Sequence, residues 1–202
     1  MREKPAKLSD NSVFLNIPYD EKFRRLYLAY ISGLIHLGLD PHATIEIPSC
    51  RNRLEKILDL VRSCRYSVHD LSRVELDKTS PRTPRFNMPF ELGLAVAVSE
   101  IDGPHDYFVF ETVLRRASKS ISDLGGADLY IHDGTVEGVM RELGNAFVTE
   151  RASLAEMMRT YRKVSRLVGQ IQRKIGAKSL YEARAFKLLY LAAKASADAG
   201  GS

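Results

Sequence analysis

Tryptophan is absent from this 202-residue chain, cysteine occurs only twice, and no apolar run approaches the ~20 residues that a membrane-spanning helix needs. No glycine-rich phosphate cradle follows the first apolar run, neither a P-loop nor a GxGxxG, which argues against P-loop NTPases and ordinary dinucleotide-binding dehydrogenases. Zinc-type Cys/His spacing and internal repeats are missing, so no metal site is expected. The opening stretch MREKPAKLSDNS is polar and lacks the apolar core of a signal peptide. Cys50 and Cys64 flank a helical pattern that would hold them ~20 Å apart, beyond disulfide reach. Two reduced thiols in a cytoplasmic protein with no membrane partner are the expectation.

What is present reads as globular: 45% hydrophobic residues with 27% charged. The length suits one ordinary domain with a helical appendage. The net charge of +5 has local concentrations at 73–85 and 159–178. A basic loop and a solvated helix face account for both, and nucleic acid is not the expected partner.

Residues 1–11 look like a flexible lead-in. Residues 12–17 (SVFLNI) form a β-rich apolar run stopped by Pro18, a buried first strand. The span 21–37 has a helical apolar stripe ended by Gly38. ATIEI at 43–47 reads as a second strand, 51–64 as an amphipathic helix, 66–71 as a third strand and DYFVF at 106–110 as a fourth. After an ambiguous stretch with Arg115-Arg116 and a turn at Gly125-Gly126, DLYIH at 128–132 is the fifth strand and 135–151 its helix. Strands alternating with helices imply an α/β fold with a parallel sheet, and five such strands predict the flavodoxin-like order 2-1-3-4-5 over a domain spanning 12–151.

The remainder, 152–202, belongs to another class. Ser153-Leu-Ala-Glu156 and Ser179-Leu-Tyr-Glu182 both match the capping box, and Gly176 separates two helical patterns, giving a C-terminal helical hairpin. The first helix has a near-heptad stripe at 154, 157, 158, 161, 164, 168, 171 and 175. That stripe reads as a surface for a homodimer or a partner protein through 153–198, with packing back on the sheet domain as the alternative.

Chemistry concentrates between 66 and 99. Asp70 ends the third strand, and Asn87-Met-Pro-Phe-Glu91 opens the following helix, so both acids are expected to line the crevice at the strands' carboxyl ends. With Pro89 at the first helical position, Glu91 falls near the third, where backbone N–H groups would keep it ionised. It is then either a helix cap or a carboxylate able to attack a sugar carbon or stabilise an oxocarbenium-like transition state. Asp70 has two readings, an Asx-type turn or a partner for a ribose hydroxyl or leaving base. Alternation places His69 on the opposite face from Asp70. Asn87 reads as a cap or a ligand contact. In the loop 72–85, Arg73, Lys78, Arg82 and Arg85 either keep the surface soluble or close over an anionic group. After the first strand, Asn16 and Asp20 border the same crevice, and Tyr19 is placed to stack on a base.

VFLNIPYD, HDLS and FNMPFELGLA together resemble the nucleoside 2-deoxyribosyltransferase and TIR-like superfamily over about residues 12–148. The resemblance implies a flavodoxin-like sheet and action on the N-glycosidic bond of a nucleoside, nucleotide or NAD, which would be substrate, with no separate cofactor. It carries the nucleophile's role to Glu91 in the Glu-Leu-Gly-x-Ala run and, with less of the motif, a catalytic Asp to Asp70. It also implies a role in antiphage defence or signalling, as in many TIR-like bacterial proteins. Asn87 and Met88 stand where TIR NAD hydrolases have Trp and Cys, and Arg85 stands where deoxyribosyltransferases tend to have Asp. These departures favour the second reading, a non-catalytic module that senses a nucleotide or recruits a partner through the hairpin. A phosphoacceptor receiver is set aside, because the acidic pair it needs after strand one and the Lys after strand five are replaced by Asn16 and His132-Asp133.

Overall fold

A computed structural model describes residues 5–49, 51–73, 76, 80–124, 128–151 and 153–199. The strands are β1 (Ser12–Asn16), β2 (Asp40–Ala43), β3 (Tyr66–Asp70), β4 (Asp106–Glu111) and β5 (Leu129–Ile131). The helices are α1 (Arg24–His36), α2 (Arg53–Ser63), α3 (Asn87–Ile101), α4 (Arg116–Ser120), α5 (Val136–Ala146), α6 (Leu154–Ile175) and α7 (Ala183–Asp198). All strand pairs are parallel and the order is β2-β1-β3-β4-β5, as the alternation predicted.

Period-two alternation sorts the side chains into two cores. Val13 and Leu15 of β1, Val68 of β3 and Phe110 of β4 face α1 and α5, while Phe14 faces α2 and α3 with Ile57, Val61, Ala95 and Val98. Helix α1 is buried continuously from Leu26 to Ile35, so it has no solvent face. A helix apolar all round must be covered all round. The sheet and α5 cover one side, and the hairpin α6–α7 covers the other. Gly33 lets α1 and α5 approach closely: a Cβ there would come within 2.7 Å of the Leu143 side chain and 2.9 Å of the Met140 side chain. The Tyr27 hydroxyl donates to the Leu180 carbonyl at 3.3 Å, and His36 Nδ1 lies 3.0 Å from the Thr160 hydroxyl, tying α1 to the hairpin.

The α6 stripe is thereby used inside the chain: Met157, Thr160, Val164, Val168 and Ile171 are buried. It carries no argument for self-association, and the hairpin shares the main core with the sheet. The lead-in is also tied down where it is described, through Leu8 N–H to the Ser63 carbonyl (3.0 Å) and Asp40 N–H to the Asn11 carbonyl (2.9 Å).

Three boundaries differ from expectation. The second strand lies earlier, at 40–43, and most of ATIEI is a 3-10 turn at Thr44–Glu46. Pro41 is tolerated because β2 is an edge strand. The turn forms because Glu46 Oε1 accepts from Ala43 N–H at 2.8 Å, while the Arg53 guanidinium donates to the carbonyls of Ile47 (2.6 Å) and Thr44 (3.0 Å). Helix α7 begins at Ala183, since Glu182 reaches back to Ser179 N–H (3.2 Å) in a turn before the helix. Helix α3 begins at Asn87 itself, which shifts every position in the candidate site. Cys64 is a buried free thiol pushed up to about 12 by burial. Cys50, Lys78 and the Gly125-Gly126 turn lie outside the described residues. No helix among the described residues is long and apolar enough to cross a membrane.

Candidate functional site

In this strand order β1 is the point where the chain reverses direction across the sheet, so the crevice beyond the carboxyl ends of β1 and β3 is the place where such folds take ligands. Asn16 closes β1 there and is 1% exposed. Its amide nitrogen donates to the Met88 carbonyl at 2.9 Å and lies 2.9 Å from His69 Nδ1. Because that nitrogen carries both hydrogens, His69 Nδ1 accepts and the imidazole proton sits on Nε2. Burial, with His105 adding to it, depresses His69 to about 3, so the ring is neutral. Asn16 thus stitches β1, β3 and α3 together, leaving its Oδ1 as an orphaned buried acceptor.

Glu91 is the fifth residue of α3, in the second turn rather than the first. Phe86, in helical φ/ψ, precedes the helix and no side chain caps it; Asn87 is exposed and makes no cap. The free N–H groups of the first turn therefore do not reach Glu91, and among the described residues nothing donates a hydrogen bond to its carboxyl. Glu91 is 8% exposed. Burial pushes it up to about 7, against the opposing Arg53 guanidinium. The expectation that helix-end hydrogen bonds hold it ionised is corrected: the helix starts too early, and desolvation dominates. A carboxyl raised toward neutrality in this way is suited to giving and taking a proton.

Its surroundings come from the ends of β1 and β2 and the start of α2. Tyr19 is half-buried, and its phenol is pushed up by burial, relieved by the Thr44 hydroxyl and raised again by the charges of Glu91 and Glu46. Arg53 adds positive charge while its fork is fixed on the 3-10 turn. Glu91 thus lies within electrostatic reach of Tyr19 and of Arg53, whose fork is fixed on the 3-10 turn.

Asp70 is elsewhere. It pairs in register with Phe110 and shares the α1 face, with no exposure at all. Its Oδ2 accepts from the Tyr30 hydroxyl at 2.8 Å and its Oδ1 from Ser72 N–H at 2.8 Å. His132 Nε2 lies 3.1 Å from Oδ2, within ion-pair range though off the line of a hydrogen bond. His132 Nδ1 accepts from Gly134 N–H at 3.2 Å, which leaves Nε2 as the ring's N–H, beside Asp70. The expected meeting of Asp70 and Glu91 does not occur. Alternation sends Asp70 toward α1, whereas α3 packs on the side of His69.

Asp20 binds within the protein. Its Oδ1 accepts from Lys22 N–H (3.0 Å) and Phe23 N–H (3.1 Å) ahead of α1, and its Oδ2 meets Arg85 at 2.8 Å and Arg73 at 3.5 Å. The Tyr181 hydroxyl donates to its carbonyl at 2.6 Å. Two of the three loop arginines expected over an anion, Arg73 and Arg85, are thus drawn to this carboxylate.

Sequence reading passed over Arg53, Tyr30, His132 and the Glu111–Arg116 pair. Glu111 is fully buried at the end of β4, and Arg116 donates to both its oxygens and to the Ser72 carbonyl (2.9 Å). This pair borders a cavity of about 250 Å³ with Leu71, Phe86 and Pro89. An acid closing a β-rich run and an Arg-Arg doublet just after it were the available signal. For Arg53 there was none, since it works through backbone carbonyls. No group of His, Cys, Asp and Glu among the described residues could hold a metal ion.

Fold and site together define an α/β protein of flavodoxin-like topology with an acid at its reversal point. Compared with known proteins, the chain matches no protein-family model, no curated protein and no solved structure.

Proposed function

We propose that the crevice beyond β1 and β3 binds a nucleotide or NAD and that Glu91 acts on its N-glycosidic bond. The observation that carries this reading is Glu91 itself: a buried carboxyl with no donor among the described residues, within electrostatic reach of Tyr19 and Arg53. Acids whose pKa is moved toward neutrality by burial cluster at functional sites. In hydrolysis the C1′–N bond breaks, the base departs with the bonding electron pair, and a water oxygen bonds to C1′. Ionised Glu91 would steady the positive sugar and take the proton that water releases; protonated, it would supply a proton to a basic leaving group. Tyr19 would stack on the base, and Arg53 would meet phosphate or ribose oxygens. Asp70 has no part, being enclosed by its own partners. The resemblance of the Glu91–Ala95 run and of VFLNIPYD to the deoxyribosyltransferase and TIR-like superfamily supports the same bond as target, and with it a role as a defence or signalling effector.

The purified protein, incubated with NAD and separately with deoxynucleosides, is expected to release free base, and Glu91→Gln to abolish release while the circular dichroism spectrum is unchanged. Release at the wild-type rate in Glu91→Gln, or none from either substrate class, overturns the reading. The second reading, a non-catalytic nucleotide sensor, is favoured by the slight exposure of Glu91. It predicts binding heat with NAD or a nucleoside monophosphate and no chemistry.

A further inference from the structure

The charge of the chain is divided unevenly. Residues 153–202 carry ten Lys or Arg against three Asp or Glu, whereas residues 1–152 carry 20 against 22, so the hairpin holds the whole positive excess. Between the last turn of α6 and the outer face of α7 lies a groove of about 340 Å³. Ile175, Leu188 and Leu191 line it with apolar surface, and Lys174, Arg184 and Lys187 line it with charge. No acidic residue lines it, and none of these three cations has a hydrogen-bond or ion-pair partner among the described residues. Leu191 leaves 49% of its surface exposed.

We propose that this groove docks an acidic amphipathic helix of a partner protein. On α7 the lining residues fall at 184, 187, 188 and 191, the i, i+3, i+4, i+7 pattern of a single helical face. A helix laid along that face presents its own apolar residues at the same spacing, and acids flanking its stripe reach the cations. The complementary charge steers the encounter and excludes basic partners. A nucleic-acid backbone would leave the leucines uncovered, and the lining has no aromatic ring on which a base could stack. A membrane surface favours a convex apolar face over a concave one. This docking requires nothing of Glu91 and stands or falls independently of the catalytic reading.

The test is a titration of the isotope-labelled full chain with a short helical peptide carrying Leu at i, i+3 and i+7 and Glu at the flanking positions. The expected result is a shift of the amide signals of Lys187, Leu188 and Leu191, with affinity that falls as salt rises. Affinity is expected to drop about tenfold in Lys187→Glu, whose side chain is exposed and whose fold is checked by circular dichroism. Parallel titrations use the same peptide with Lys for Glu, a single-stranded DNA and phosphatidylserine vesicles. The proposal is overturned if the acidic peptide leaves those signals unmoved, if the Lys peptide moves them equally, or if DNA or vesicles take the groove in its place. It is equally overturned if the signals move with protein concentration alone, which would make the occupant a second copy of the chain.

Discussion

Glu91 and Asp70 are both acids withdrawn from water, and their surroundings are opposite. Asp70 has a phenol, a backbone N–H and an imidazole around it. Glu91 has no donor among the described residues and a guanidinium that reaches it only through its field. Burial alone therefore does not mark an acid as structural or chemical. The donors around it do, because an acid with its hydrogen bonds made holds the fold together, while one without them is costly to ionise and ready to exchange a proton.

Removing either acid should expose that contrast. Asp70→Ala strands the Tyr30 hydroxyl, Ser72 N–H and His132 in the interior, and a loss of about 3–5 kcal/mol in urea unfolding is expected. A loss below 1 kcal/mol would erase the distinction. Glu91→Gln should act through pH instead. With its folded pKa raised from 4.5 to about 7, wild-type Glu91 contributes stability that is fully present below pH 4.5 and lost as pH rises to about 7. The wild type should accordingly lose on the order of 3 kcal/mol relative to Glu91→Gln across that window. Parallel unfolding curves for the two proteins from pH 4 to 8 would contradict it.

A narrower probe of the Asp70 side is Tyr30→Phe, which deletes one hydrogen bond to that acid and should cost about 2 kcal/mol by thermal or urea unfolding. The smallest effect is expected at Arg85→Ala. Its pair with Asp20 is half-exposed, so a change under about 1 kcal/mol is anticipated, diminishing further in high salt. A large, salt-insensitive loss there would mean that the loop contributes to the core.

Much of this was legible beforehand. Strands β1, β3 and β4 announced themselves as short apolar runs ended by a proline or followed by a polar loop, and the alternation of elements sufficed for the sheet order. The second strand was misplaced because ATIEI has the composition of a strand, while its actual conformation is set by Glu46 and Arg53 through tertiary hydrogen bonds that no local pattern encodes. Glu91 was singled out from its place at the head of a helix, but its protonation was read from a helix start two residues too late. The separation of the two acids was within reach: His69 and Asp70 were already assigned to opposite faces, and only the side taken by α3 was missing. The all-round apolar character of α1 was a readable sign that the hairpin would have to cover it.

That buried helix has a consequence for synthesis. Helix α1 leaves the ribosome long before α6 and α7, so the sheet can assemble while one flank of α1 is still bare. The nascent polypeptide must carry a sticky seam until residues 154–198 emerge, and a premature stop near position 152 would leave that seam open, a substrate for chaperones and proteases.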